Sequence, residues 1–287
     1  MYIDINLIKK LRNKSGVGIS DCKKALEENN KNVKDAIIWL RNKNLIHADK
    51  KSFRETNKGL IAINIDDDHA TIIELSCETD FTSKNEKFLT LTNKILKKVH
   101  EFDGDNLQKF INSSKFKTDS VRQIIVDHIA IFGEKITLKR IDKLRVKNGK
   151  IISYMHNKVS NNIGKIGVLL ALEGNINYEI EKFGKHLGMH IAALNPMSLN
   201  IESLDYKFLD KEKNTFRNQA IENKKPINVI EKIVEGKMKK LYESIVLLEQ
   251  TFVIDGKTKI KNVIQNLRLK QKCNFNVLKY LRYQVGT

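Results

Sequence analysis

"LIAINIDDDHATIIELSC", residues 60–77, changes the period of the chain. Before it, apolar residues recur every three or four positions; within it they alternate. Ile61, Ile63 and Ile65 share one side of an extended segment. Ile73, Leu75 and Cys77 share one side of the next, with Glu74 and Ser76 opposite. Alternation on both sides of the polar turn "DDDH" predicts a β-hairpin. Helical spacing returns from 84 to about 100, where Phe88, Leu91, Ile95 and Val99 form a stripe. A second helix is expected across 119–132.

The same outline recurs downstream. "KITLKRIDKLRV", "KIISYMHN" and "NIGKIGVLLALEG" read as strands, and "YEIEKFGKHLGMHIAAL" reads as a helix. A strand–strand–helix unit therefore occurs near 60–100 and near 150–194. The fold class is α+β, with two related subdomains built on antiparallel sheets. Core subdomain N spans 60–140. Core subdomain C is formed by 141–198 and 246–287, and 199–245 interrupts it as an antiparallel helical hairpin, with Pro226 suited to the first position of its second helix. The chain returns through a short helix near 258–267 and ends in the strand "VLKYLRYQV". Residues 1–46 read as three short helices, the first carrying Ile5, Ile8 and Leu11, the second Cys22, Ala25 and Leu26, and the third Val33, Ala36, Ile37 and Leu40. Ser20 is read as the N-cap of the second, and Trp39, beside the third stripe, as a core residue. A polar linker, 47–59, follows.

The 287 residues carry 52 Lys and Arg against 34 Asp and Glu, a formal net charge of +18. The basic residues are spread over the whole length. Aromatic residues make up 7% and are not interleaved with basic ones, as single-strand nucleic-acid binders require. A specific nucleic-acid partner is not expected, although a positive field favours an acidic partner. No apolar run approaches the roughly 18 residues of a membrane span, and no signal peptide opens the chain. The expected location is the cytoplasm, with no membrane partner. Cys22, Cys77 and Cys273 form no CxxC pair and read as reduced, mostly buried thiols.

No catalytic motif is present: there is no GxxxxGK[ST], GxSxG or HExxH. Gly16 and Gly18 follow a helix rather than a strand, so their turn is read as a turn and not as an anion cradle. His186 and His190 stand at a metal-ligand spacing, i and i+4, but no third ligand is near in sequence. Flanked by Gly184 and Gly188, they read as part of a close-packed helix face. Cys22, beside Lys23 and Lys24, shares its face with Ala25 and Leu26 and reads as buried. Asp80–Phe81, within "CETDFTSKNEKF", has two readings. Local physics favours Phe81 folded back as a hydrophobic staple with Asp80 capping the helix. The other reading is an exposed wedge, oriented by a charge-assisted hydrogen bond and inserted into a partner.

Several segments in order resemble the bacterial elongation factor Ts family: "LIKKLRNKSGVGISDCKKAL", "CETDFTSKNEKF", "FGEKITLKRI", "YMHN" with "IGKIGVLLAL", "HLGMHIAALNP" and "KKPINVIEKIVEGKMKKLYESIVLLEQTFVIDGKTKI". The resemblance implies a UBA-like N-terminal domain and an exchange factor, not an enzyme, with no cofactor and no metal of its own. Its implied partner is elongation factor Tu, GDP-bound and nucleotide-free. Thr79, Asp80, Phe81 and Thr82 are implied to enter that partner near its nucleotide and Mg²⁺. Arg12, Ile19, Ser20 and Lys23 match positions that grip its GTPase domain. His156, Lys185, His186, Val253 and Ile254 match positions that hold a second partner domain. The 199–245 arm matches one that contacts the partner or a second copy, so a homodimer through the arm or the core is a further expectation. Thr82 stands where the family usually has Val, Ser20 where it often has Met, and Thr251 where it usually has Pro. Many members continue past "QVGT" into a further helical module. Two other readings rest on other features: a basic ribosome- or RNA-associated protein without exchange activity, from charge, and a thiol-dependent enzyme using Cys22 or Cys77 with a histidine.

Overall fold

A computed structural model describes residues 3–67, 69–104, 107–112 and 121–287, with all their side chains except those of 45–47, 49, 50, 108, 111 and 112. Three helices open the chain: α1 (Ile5–Ser15), α2 (Ile19–Glu28) and α3 (Val33–Lys50). Their buried faces carry Ile8, Leu11, Cys22, Ala25, Leu26, Ala36 and Leu40, with Trp39 packed partly buried beside them. Helix α3 runs four residues past the expected end at 46, because no Gly or Pro interrupts 41–50. The N-cap of α2 is Gly18, not Ser20. Gly18 supplies the extended backbone that precedes the helix, and Ser20 lies exposed within the first turn.

The hairpin forms as expected, β1 (Lys58–Ile65) against β2 (His69–Cys77); residue 68 of its turn lies outside the described residues. A four-residue helix, α4 (Asp80–Ser83), leads into α5 (Glu86–Glu101), followed by α6 (Leu107–Asn112) and α7 (Val121–Phe132). Residues 119 and 120 of the helix expected over 119–132 also fall outside the description. The remaining elements are β3 (Ile136–Arg145), β4 (Gly149–His156), β5 (Ile163–Gly164), β6 (Ile166–Gly174), α8 (Tyr178–Leu194), α9 (Tyr206–Glu222), α10 (Ile227–Ile245), α11 (Ile260–Gln271) and β7 (Phe275–Gln284). Pro226 is the N-cap of α10, one position before the expected first turn. Helix α9 packs on α10 through Ala220, Ile230, Val234 and Met238. Among the described residues no helix is long and apolar enough to cross a membrane.

Two antiparallel sheets result, ordered β3-β2-β1-β5 and β4-β6-β7. Each is a hairpin extended by a third strand on its second strand, and each shifts register in that outer pairing, at Glu74/Leu75 and at Ala171/Leu172. The segment "NIGKIGVLLALEG", which reads as one strand, is two. Ile163 and Gly164 pair with β1 in the first sheet, and Ile166 onward pairs in the second. The chain changes sheet at Lys165.

Both faces of each sheet are covered along its central strands. Ile61, Ile63 and Ile72 of the first sheet meet Ile151, Met155, Leu169 and Ala171 of the second. On its other face the first sheet turns Leu60, Ala62, Ile73 and Leu75 toward Phe88, Leu91 and Ile95 of α5 and Ile124 and Ile129 of α7. The second turns Ile152, Val168, Leu170 and Leu172 toward α8 and α11. The layers are helix, sheet, sheet, helix. The stripes Ile61/Ile63 and Ile73/Leu75 thus lie on opposite faces, since Ile61 pairs with Glu74 and Ala62 with Ile73. Gly167 sets the sheet spacing: a Cβ there would stand 2.7 Å from Ile61 Cγ2.

The face opposite Leu75 is not solvated. Glu74 and Ser76 are fully buried between the layers. Arg140 Nε donates to Glu74 Oε2 at 2.6 Å, and Ser76 Oγ and the Gly286 N–H donate to Oε1 at 3.2 and 3.0 Å. Arg140 also donates to the Gln284 carbonyl and stacks over Tyr283, 4.1 Å from the ring centre. A carboxylate in this position is tolerated because its acceptor capacity is filled. Arg140→Met strands that charge and is expected to cost about 3 kcal/mol, the low end for breaking a buried pair because the arginine is partly exposed. Adding Glu74→Leu should recover most of the loss, measured as the urea unfolding midpoint.

Candidate functional site

The ladder between β2 and β3 ends at Cys77 and Ile136, and side chains continue it. The Lys135 N–H donates to Glu78 Oε1 at 2.6 Å. In return, Glu134 accepts from the Thr79 hydroxyl at 2.6 Å and from the Thr79 N–H at 3.1 Å. Thr79 is thereby fixed as the N-cap of α4, its Oγ1 accepting from the Thr82 N–H at 3.3 Å. Thr79, not Asp80, does the capping. Six residues beyond Thr79, Asn85 caps α5, accepting from the Lys87 N–H. Helix α4 is a single turn held between two caps.

Asp80 leaves the cap free because two lysines take its carboxylate. Lys165 Nζ stands 3.3 Å from Oδ1 and Lys58 Nζ 3.6 Å from Oδ2. Lys165 also donates to the Gly59 carbonyl and to Ser83 Oγ, at 3.0 and 3.1 Å. Slight burial pushes the Asp80 carboxyl up, but the Lys165 hydrogen bond and the charges of Lys165 and Lys58 outweigh it and hold it below its ordinary range. Thr82 and Ser83 are buried beneath the turn. Phe81 is 90% exposed. The staple does not form: the face of α4 that meets the core carries Thr82 and Ser83, and the ring projects from the other.

The remaining candidate residues lie in two other places. Arg12, near the end of α1, and Ile19, Ser20 and Lys23, in the first turn and a half of α2, are exposed on either side of the 16–18 turn. Lys23 pairs with Glu27 at 3.9 Å. On α8, beside the second sheet, Lys185 and His186 line a cleft of about 380 Å³ with Tyr154, Lys158, Asn161 and Met189. His156 Nδ1 lies 3.3 Å from the Tyr154 hydroxyl. Gly188 on α8 permits this packing, since a Cβ there would come within 2.8 Å of Tyr154 Cβ. Val253 and Ile254 are exposed at 40% and 44%. Their loop is held from within by His190, whose Nε2 meets Gln250 Oε1 at 2.8 Å and whose Nδ1 accepts from the Val253 N–H at 3.3 Å. Burial pushes the His190 pKa down against the raising effect of Gln250. With both ring nitrogens engaged in the core, His190 is a positioning residue and does not act with His186 as a metal pair.

Sequence reading missed Glu134, Lys165 and Lys58 as supports of the 79–82 turn, and Gln250 as the partner of His190. Only Lys165 left a trace, as a charged residue between the apolar runs "NIG" and "IGVLLAL".

The thiols are poorly placed for chemistry. Burial, with the charge of Glu134, pushes Cys77 up to about 12, and its Sγ lies 3.2 Å from the Thr79 carbonyl. Burial also raises Cys22. A nucleophilic cysteine needs the opposite shift.

The chain matches the family model described as Elongation factor TS over residues 78–287. It is 38% identical to the elongation factor Ts of Rickettsia prowazekii (strain Madrid E) over 282 residues, 98% of this chain and 91% of that one. It is 36% identical to that of Ehrlichia canis (strain Jake) over 287 residues, the whole of both chains. To that of Bartonella tribocorum it is 36% identical over 287 residues, all of this chain and 94% of that one.

Two outcomes follow from this geometry. Glu134→Ala removes a charged acceptor worth roughly 1.5–3 kcal/mol. Amide exchange at 79–84 should quicken by about tenfold or more, while exchange in β1 and β2 holds. Native chain treated with iodoacetamide should be modified at Cys273, the partly exposed thiol, well before Cys77 or Cys22; peptide mass spectrometry reads the order.

Proposed function

We propose, on the premise that the chain belongs to the elongation factor Ts family of translation elongation factors, that it is a non-catalytic guanine nucleotide exchange factor for elongation factor Tu, acting in the cytoplasm. The observation that carries the reading is the 90% exposed Phe81 ring on a one-turn helix clamped from beneath. A large ring left in water on a rigid support retains its transfer free energy for a partner, about 1.5–3 kcal/mol on full burial. Rigid support also lowers the ordering cost of docking.

In this mechanism Phe81 inserts beside the partner's nucleotide and Mg²⁺ site, and Asp80, oriented by Lys165 and Lys58, fixes the angle of approach. The inserted turn favours a nucleotide-free arrangement of the partner. GDP is then weakened by the same factor by which GDP weakens binding of this chain. Arg12, Ile19, Ser20 and Lys23 hold the partner's GTPase domain. His156, Lys185, His186, Val253 and Ile254 hold a second domain, so the wedge is pressed in from two sides. Neither contact requires bond-making chemistry, in keeping with the raised pKa values of the buried thiols Cys22 and Cys77. The arm of α9 and α10 exposes Ile227 at 89% and Tyr206 at 77% and is a further contact for the partner or a second copy.

Release of a fluorescent GDP analogue from elongation factor Tu tests the proposal. Wild-type chain should accelerate it. Phe81→Ala should lose at least about tenfold of that acceleration, the size of an interface anchor. Its stability should stay within about 0.5 kcal/mol of wild type, because the ring packs on nothing in the free chain. Absence of acceleration by wild type refutes the proposal, and salt-steep RNA binding unaffected by Phe81→Ala would favour the ribosome- or RNA-associated reading.

A further inference from the structure

At the far end of α5 from the wedge, the turn of the first hairpin brings together Asp66, His69 and His100. One ligand atom from each lies within 4.8 Å of the others. His100 Nε2 is 2.8 Å and His69 Nε2 3.9 Å from Asp66 Oδ2. The two imidazoles are stacked, with centroids 4.3 Å apart and planes 11° from parallel. We propose that these three side chains form a site for a borderline divalent transition-metal ion of the Zn²⁺, Co²⁺ or Ni²⁺ class.

Three observations support it. The ligand spacings bracket what such an ion needs: metal–ligand bonds of 2.0–2.2 Å place neighbouring ligand atoms roughly 3.0–3.5 Å apart. The Asp66–His100 contact must open slightly and His69 must close, and Asp66 is exposed on a turn where it can shift. Second, His100 is pre-oriented. It is buried, and its Nδ1 lies 2.8 Å from the hydroxyl of Thr71, which is fully buried. With Nε2 on a metal, Nδ1–H donates to Thr71, the outer hydrogen bond that fixes tautomer and ring plane at metal-bound histidines.

Third, the site opens on a cleft of about 560 Å³ lined by Ile65, Asp66, Asp67, His69, Lys150 and Ile151, which gives an ion entry and leaves coordination positions for water. Lys150, the cation on that cleft, is paired with Glu181. Two imidazoles and one carboxylate select this class over Mg²⁺ or Ca²⁺, which take oxygen ligands. The bound ion joins His100 in the last turn of α5 to the turn between β1 and β2. None of the three residues stands at a recognisable metal spacing in sequence, which is why reading the chain alone led to an expectation of no metal.

The test uses full-length, tag-free, metal-stripped protein titrated with Zn²⁺ by calorimetry and with Co²⁺ by visible absorption. Wild type should bind one ion per chain, with a higher thermal midpoint in Zn²⁺. His69→Gln and Asp66→Asn, both at accessible positions that leave the core intact, should weaken binding at least tenfold. Thr71→Val should weaken it by roughly 10-fold or more through the outer hydrogen bond. Equimolar Mg²⁺ should not compete. Two results overturn the proposal: no saturable binding by wild type, or binding by His69→Gln equal to wild type, which would put the ion on other residues. GDP release is not part of the readout, so this site stands or fails independently of the exchange function.

Discussion

The fold depends on one constraint: each sheet must bury two faces. An antiparallel hairpin commonly leaves one face to water. Here the helices cover the outer faces and the sheets cover each other, so β1, β2 and β6 have hardly a solvated position. The chain must then cross between layers, and it does so at Lys165. Gly164 and Gly167 flank the crossing where backbone and side chains come closest; a Cβ on Gly164 would meet the His156 carbonyl at 2.8 Å. A lysine can occupy the crossing because its amine escapes to the edge of the sheet. There it ties the Gly59 carbonyl, Asp80 and Ser83 together. The residue that closes the two-sheet core therefore also braces the exposed turn.

That coupling separates the turn into a rigid base and a free tip. Glu134, Glu78, Lys165 and the caps at Thr79 and Asn85 tie the backbone and the side chains of Thr79, Asp80 and Ser83 to the rest of the chain. Phe81 alone makes no contribution to the folded state in proportion to its size. In a chain selected for stability alone, a smaller polar side chain would do as well at that place. The arrangement belongs to a group held ready for something outside the molecule, in accord with membership of a family of translation factors.

Much of this was legible in the sequence, and the limits have physical causes. Period-two alternation identified β1 and β2, and period-3.6 stripes identified α5 and α8, because those periods follow from backbone geometry. Alternation says which residues of one strand share a face; it does not say which face points where. So Ile61/Ile63 and Ile73/Leu75 gave no sign of lying on opposite sides, and the face of Glu74 gave no sign of being buried. Its burial depends on Arg140, 66 positions away in the chain. The split of β5 from β6 was hidden for a related reason: a strand that changes sheets keeps its extended backbone. At Asp80–Phe81 local rules favoured the staple, since they see only neighbours in sequence. Glu134, Lys58 and Lys165, which decide the matter, are distant. The ordered motifs pointed to the wedge through family likeness rather than through local physics.

In the proposed mechanism, the lysine pair on Asp80 bears on how the turn approaches its partner. A carboxylate brought toward a nucleotide's phosphates meets like charge, and the penalty grows as water is expelled. Asp80 does not arrive alone. With Lys58 and Lys165 beside it, one carboxylate faces two amines, a formal net charge of about +1. Asp80 can then supply a directional acceptor while the two amines supply the favourable long-range field. A neutral Asn in its place would keep an acceptor but leave both amines without their shared counter-ion, with a stronger local positive field and a looser side chain. The carboxylate thus serves the turn twice over, as the anchor that orders two lysines and as the charge that offsets part of their field.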